Sequence, residues 1–211
     1  MDATMNSASD VLDISPVIPV VALDDAEQAV PLARALSRGG IRTVEVTLRT
    51  PAGLPAIERI AGEVPEVVVG AGTITEAGQA ERARRAGARY LVTPGCTGGL
   101  LDEVAGTGLP YLAGVSTVSE AMALAERGAT AMKFFPAGPS GGTSYLKALA
   151  GPLPHLRFCP TGGVSEDNAA DYLALPNVGC VGGSWLTPGE LLDEGAWGRV
   201  EELARRAAAL R

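Results

Sequence analysis

The chain has 211 residues, of which 46% are hydrophobic and 19% charged, with a net charge of −7. That length fits one domain with a substantial buried core. The scattered basic residues and negative balance exclude nucleic acid as a partner, and no apolar run reaches the roughly 18 residues of a membrane span.

The opening residues, MDATMNSASDVLDIS, are acidic and lack the basic start and apolar stretch of a signal peptide. Residues 1–15 therefore read as an N-terminal extension or helix. Cys96, Cys159 and Cys180 are odd in number, far apart and without CxxC spacing, so they read as reduced core residues of a cytoplasmic protein. The single histidine, His155, sits in the loop-like stretch PLPHL, which excludes a His-cluster metal site and argues against a His-dependent triad.

Beyond the extension, short β-branched runs recur: VIPVVAL from 17, TVEVTL from 43, VVVGAG from 67, YLVTPG from 90, PYLAGV from 110, AMKFFP from 131, RFCPTGG from 157 and CVGGSW from 180. Their starts lie 20 to 26 residues apart, and the intervening Ala/Leu/Glu/Arg-rich segments carry helical periodicity. Ser116 and Thr117 ahead of Glu120 form a capping signal for one of these helices. Strand followed by helix eight times at nearly uniform spacing predicts a single (βα)8 TIM barrel over residues 1–211, with a doubly wound sheet as the rival. In a barrel the active site lies at the C-terminal ends of the strands. Those ends carry Thr47 and Arg49, Thr73, Pro94, Lys133 and Phe135, Thr161 to Gly163, and Gly183 with Ser184.

Lys133 is conspicuous because the chain has two lysines against fifteen arginines, and lysine is almost never fully buried without a partner. Residues two apart share a strand face. Val44, Val46, Met132 and Phe134 therefore pack outward, while Glu45, Thr47, Arg49, Lys133 and Phe135 point inward. A carboxylate, a guanidinium and an amine in one interior suit Schiff-base chemistry: the amine adds to a ketone, Glu45 moves protons, and Arg49 holds a substrate carboxylate. The alternative is a structural Glu45–Lys133 salt bridge with Arg49 at its rim, although a buried pair adds little stability over apolar residues.

The glycine pairs Gly162–Gly163 and Gly182–Gly183, with Ser184, follow the two strands whose loops commonly bind phosphate in barrels; tight turns are the other reading. VGAGTI from 69 mimics a dinucleotide fingerprint but lacks the third glycine and a following acidic residue. Thr73 is better read as a strand-end hydroxyl facing the pocket, and Trp185 and Trp197 as core or interface residues.

The motifs EVTLRT (45–50), VGAGT (69–73), TPG (93–95), KFFPA (133–137), FCPTGG (158–163) and GGSW (182–185), in this order, resemble the bacterial 2-keto-3-deoxy-6-phosphogluconate (KDPG) and 4-hydroxy-2-oxoglutarate (KHG) aldolases. The likeness runs from about Pro19 to the C-terminal helix. It implies a class I aldolase on a barrel, a homotrimer, with no cofactor or metal, acting on keto acids and aldehydes. It further implies that Lys133 forms the Schiff base and Glu45 is the general acid/base. Arg49 and Thr73 would meet the carboxylate, Pro94 and Phe135 shape the pocket, and Thr161 govern stereochemistry. Gly162, Gly163, Gly183 and Ser184 would bind phosphate. Where some relatives carry an arginine at the end of the first strand, this chain has VVAL, which implies a largely neutral phosphate site. The rival readings are an aldolase preferring KHG or a galactonate epimer, a phosphosugar isomerase or epimerase using Glu45 without covalent catalysis, and a sugar-phosphate sensor.

Overall fold

The computed structural model describes residues 7–210; the first six residues of the expected N-terminal extension lie outside them. From Ser7 on, the extension is a short helix, α1 (Ala8–Leu12), opened by a capping box in which Ser7 and Asp10 exchange side-chain bonds with each other's backbone N–H.

Parallel strands then alternate with helices. The first half contains β1 (Val17–Val21), α2 (Ala29–Arg38), β2 (Thr43–Thr47), α3 (Gly53–Glu63), β3 (Val68–Gly72), α4 (Gln79–Arg85), β4 (Tyr90–Val92) and α5 (Gly98–Gly106). The segment PYLAGV forms two pieces, β5 (Tyr111–Leu112) and β6 (Gly114–Val115), followed by α6 (Val118–Glu126) and β7 (Ala131–Phe134). The chain ends with α7 (Gly142–Leu149), β8 (Arg157–Pro160), α8 (Ala169–Leu173), β9 (Val181–Gly183), α9 (Gly189–Asp193) and α10 (Trp197–Ala208).

The strands form a curled parallel array: β5-β4-β3-β2-β1-β9 in one sheet and β6-β7-β8 in another. The two sheets meet at both seams. Across one, parallel bridges Phe158↔Val178 and Thr161↔Gly182 link β8 to the β9 segment. Across the other, Lys133 N–H donates to the carbonyl of Ala113, the residue between β5 and β6. The expected fifth strand is split there because Thr93 intervenes: its Oγ1 accepts from Gly114 N–H at 3.1 Å, and a Cβ on Gly114 would meet the Pro94 carbonyl oxygen at 2.2 Å.

Strand alternation sorts the side chains as expected. Val44, Val46, Val69, Ala71, Leu91, Met132 and Phe134 join the larger core under the helices. Ile18, Tyr90, Val92, Leu112, Ala131, Cys159 and Cys180 form a second cluster on the inner face, where Val11 and Leu12 of α1 pack against them. Each apolar face is thus buried by a different partner: helices outside, and strand against strand plus α1 inside. Trp185 and Trp197 are partly buried against the outer core. Cys96 is only partly buried, unlike Cys159 and Cys180, and all three are free thiols. Among the described residues, no helix is long and apolar enough to cross a membrane.

Candidate active site

The lysine of β7 and the glutamate of β2 meet on the inner face. Lys133 Nζ donates to Glu45 Oε1 at 3.2 Å, and the side chains are only 6% and 4% exposed. Strand periodicity delivers both inward, and their flanking residues, Val44, Val46, Met132 and Phe134, anchor the backbones in the outer core. Phe135 continues the inner face of β7, with Lys133 Nζ 5.3 Å from its ring centroid, a cation–π distance.

Space for Glu45 comes from Gly72 on the neighbouring strand: a Cβ there would lie 2.0 Å from Glu45 Oε1. One layer deeper, the ring of Tyr90 covers Gly70, whose Cβ would fall 2.3 Å from it, and the phenol shares a 3.0 Å hydrogen bond with Thr43 Oγ1. Burial holds the Tyr90 phenol well above its usual titration range, outweighing the Thr43 bond. The pair is therefore floored by a neutral hydroxyl layer over an apolar cluster. A third glycine accommodates Thr161: a Cβ on Gly182 would meet Thr161 Oγ1 at 2.3 Å, and that hydroxyl donates inward to the Cys159 carbonyl at 3.4 Å.

At the end of β2, Thr47 Oγ1 donates to the Val21 carbonyl at 3.0 Å and accepts from Arg49 Nε at 3.2 Å. Thr73, at the end of β3, has φ 58°, the left-handed region that a β-branched residue rarely enters. Pro94 follows β4, its carbonyl against Gly114, and Gly114 pairs in register with Lys133. After β8, Gly162 and Gly163 have φ 90° and 81°. Their carbonyls accept from Gly138 N–H and Asn168 Nδ2. A Cβ on Gly162 would meet the Phe135 ring at 3.1 Å, so this turn abuts the lysine's wall. Gly183 is buried and Ser184 exposed at the end of β9.

The expected residues thus lie on the inner face of the strands, as Glu45 and Lys133 do, or at the strand ends and the loops that follow them. Glu45, Lys133, Phe135 and Gly162 are in direct or near contact, as are Thr47 with Arg49 and Thr161 with Gly182. Thr73, Pro94, Gly163, Gly183 and Ser184 occupy the neighbouring strand ends or loops. The sequence reading does not single out Gly72, Thr43 or Tyr90, and it takes Gly182 only as part of a phosphate-binding or turn pair, not as space for Thr161. The alternating glycines at 70 and 72 carried the signal, since side chains missing from an inner strand face imply bulky neighbours. Among the described residues, no group of three or more His, Cys, Asp or Glu side chains is placed to hold a metal ion. What the arrangement offers is an amine hydrogen-bonded to a carboxylate in an almost dry recess, with a glycine turn at positive φ and a guanidinium at its rim.

The family model for KDPG and KHG aldolases matches residues 8–203. A protein of Pseudoalteromonas atlantica named 2-dehydro-3-deoxy-phosphogluconate aldolase is 49% identical over 203 residues, spanning 96% of this chain and 94% of the relative. The KHG/KDPG aldolase of Escherichia coli is 47% identical over 201 residues, spanning 95% and 94%. Among solved structures, a KDPG aldolase from Legionella pneumophila, with pyruvate captured at low pH as a covalent carbinolamine intermediate, superposes with a TM-score of 0.93 at 42% identity, covering 96% of this chain and 98% of that one.

Proposed function

The chain belongs to the KDPG and KHG aldolase family, and from that premise we propose that it is a class I aldolase cleaving KDPG to pyruvate and glyceraldehyde 3-phosphate through a Schiff base on Lys133. KHG, cleaved to pyruvate and glyoxylate, is a second substrate of the same site. The observation that carries the reading is the buried 3.2 Å contact between Lys133 and Glu45. A buried ion pair adds little to stability over apolar packing, so its presence here is better explained by chemistry.

Lys133, after passing a proton to Glu45 across that contact, adds to the ketone at the second carbon. Glu45 returns that proton to the carbinolamine hydroxyl, which leaves as water, and the product is an iminium with Glu45 again a carboxylate. Glu45, directly or through water, takes the proton of the hydroxyl on the fourth carbon, and the bond between carbons three and four breaks. Its electrons move into the iminium to give an enamine, and the aldehyde leaves. The enamine is protonated at the third carbon and the resulting iminium hydrolysed, releasing pyruvate and the free amine. Arg49 and Thr73 take the carboxylate end, Pro94 and Phe135 wall the imine, and Thr161 faces the hydroxyl being formed or broken. The phosphate meets the N–H groups around Gly162, Gly163 and Gly183 and the Ser184 hydroxyl, an anion site made of dipoles because β1 ends in VVAL.

We extend the proposal to the whole architecture: residues 1–211 form one domain whose strands close into a (βα)8 barrel, with β5 and β6 counted as one. The pairing of β1 with both β2 and β9, and the contacts at both seams, support closure. The assembly inferred from the family likeness is a cytoplasmic homotrimer, and sedimentation equilibrium should return three chain masses; one or two would refute it.

Pyruvate release from KDPG, measured with excess chelator, tests the activity. Lys133→Arg keeps a cation beside Glu45 but cannot form the imine, so its turnover should fall to background while the fold persists. Sustained turnover by that variant would instead favour non-covalent proton transfer by Glu45, as in an isomerase.

A further inference from the structure

The reading above gives Arg49 the substrate carboxylate, and the structure adds what holds Arg49. Thr47 is 1% exposed, and its hydroxyl has one proton and two lone pairs. Both of its contacts are committed in one sense only. The Val21 carbonyl can only accept, so the proton goes there at 3.0 Å. The Arg49 Nε–H can only donate, so a lone pair of Thr47 receives it at 3.2 Å.

Two further bonds fix the same segment: Thr50 Oγ1 donates to the Leu23 carbonyl, and Leu48 N–H donates to the Gly72 carbonyl at 2.9 Å. Residues 47–50 are thus tied to the end of β1 twice and to the end of β3 once. Arg49 itself is exposed and, among the described residues, has no carboxylate within salt-bridge distance. Thr47 is the one side chain among the described residues that orients its guanidinium.

We infer that Thr47 is a positioning residue for the substrate carboxylate: by occupying Nε–H of Arg49 it leaves the two terminal nitrogens to grip the carboxylate end-on. The fork is set before substrate arrives, so less side-chain freedom is lost on binding. This inference rests on the proposed role of Arg49, and the test separates the two.

KM and kcat for KDPG are measured for wild type, Thr47→Val, Thr47→Ser, Arg49→Ala and the Thr47→Val/Arg49→Ala pair, with circular dichroism to verify folding. Thr47→Val, which is isosteric but lacks the hydroxyl, should raise KM about tenfold with a smaller change in kcat. Thr47→Ser should restore it, and Thr47→Val should add nothing in the Arg49→Ala background. If Arg49→Ala leaves KM unchanged, the role given to Arg49 falls, and with it this inference. If Arg49→Ala raises KM but Thr47→Val does not, or raises it equally in both backgrounds, the role of Arg49 stands and that of Thr47 is overturned. Should Thr47→Val not fold, Thr47→Ala removes the same hydroxyl with less bulk and is read by the same criteria.

Discussion

Gly72 has no side chain where Glu45 has its carboxylate. With a Cβ only 2.0 Å from Oε1, alanine at this position must push the carboxylate away from Lys133 or bend β3. A displacement near 1 Å at a reacting group costs on the order of a hundredfold in rate. Gly72→Ala should therefore lose about that much kcat, and adding Glu45→Asp, which shortens the side chain, should recover part of it. Steady-state kinetics on the two variants checks this; unchanged kcat in Gly72→Ala would show that the position of Glu45 is not critical. Lys133 and Glu45 themselves were legible in the sequence because strand alternation alone turns them inward. The space that Gly72 and Gly182 leave was not, since each leaves it for a side chain on a different strand, Glu45 and Thr161, and one strand's sequence does not say what faces it.

Helix α6 displays the same limit between neighbouring elements. Its start was legible: Thr117 caps Glu120 N–H at 3.2 Å, and Glu120 returns bonds to Ser116 and Thr117 N–H at 2.8 and 2.9 Å. Tyr145 adds a further contact from α7, its hydroxyl accepting from Val118 N–H at 3.0 Å. The backbone N–H of Ser116, more than the other bonds, holds the Glu120 carboxyl below its usual range, against the opposing effect of burial. A carboxyl whose folded value is depressed contributes stability that is complete above its unfolded value, near 4.3, and is lost as pH falls through the folded value. Thr117→Ala should cost about 1 kcal/mol at neutral pH. Glu120→Gln should cost less, because the side chain is largely solvated, and that loss should shrink in acid. Urea unfolding at pH 7 and pH 3 measures both; a Glu120→Gln deficit that stays constant with pH would contradict the role of the charge. By contrast, the split between β5 and β6 was not legible. A Thr93 hydroxyl from another strand causes it, and PYLAGV reads as one uninterrupted run.

At the scale of the whole molecule, repetition made the architecture readable. Eight strand-like runs at near-constant spacing imply a parallel array with helices over its outer face. What the repeat does not disclose is how the inner face is finished. Segment α1 does this, with Val11 and Leu12 fully buried against Ile18, Tyr90, Cys159 and Cys180. Arg157 grips Asp13 through two bonds of 2.7 and 3.0 Å, and Gly179 leaves room for Leu12, whose Cβ would be 2.7 Å from an added side chain. Acidic and short, that segment reads as an extension because the surface it covers is assembled from distant strands. The inner cluster then forms an apolar floor beneath the Lys133–Glu45 pair, so the finished fold delivers one recessed amine with a carboxylate partner. Borohydride reduction in the presence of pyruvate, followed by peptide mass mapping, tests that outcome most directly. A pyruvyl adduct on Lys133, absent without reductant and absent from Lys133→Arg, is the predicted result. An adduct confined to Lys147, or none from a preparation that still cleaves KDPG, would contradict the Schiff-base account and leave Lys133 as a structural partner of Glu45.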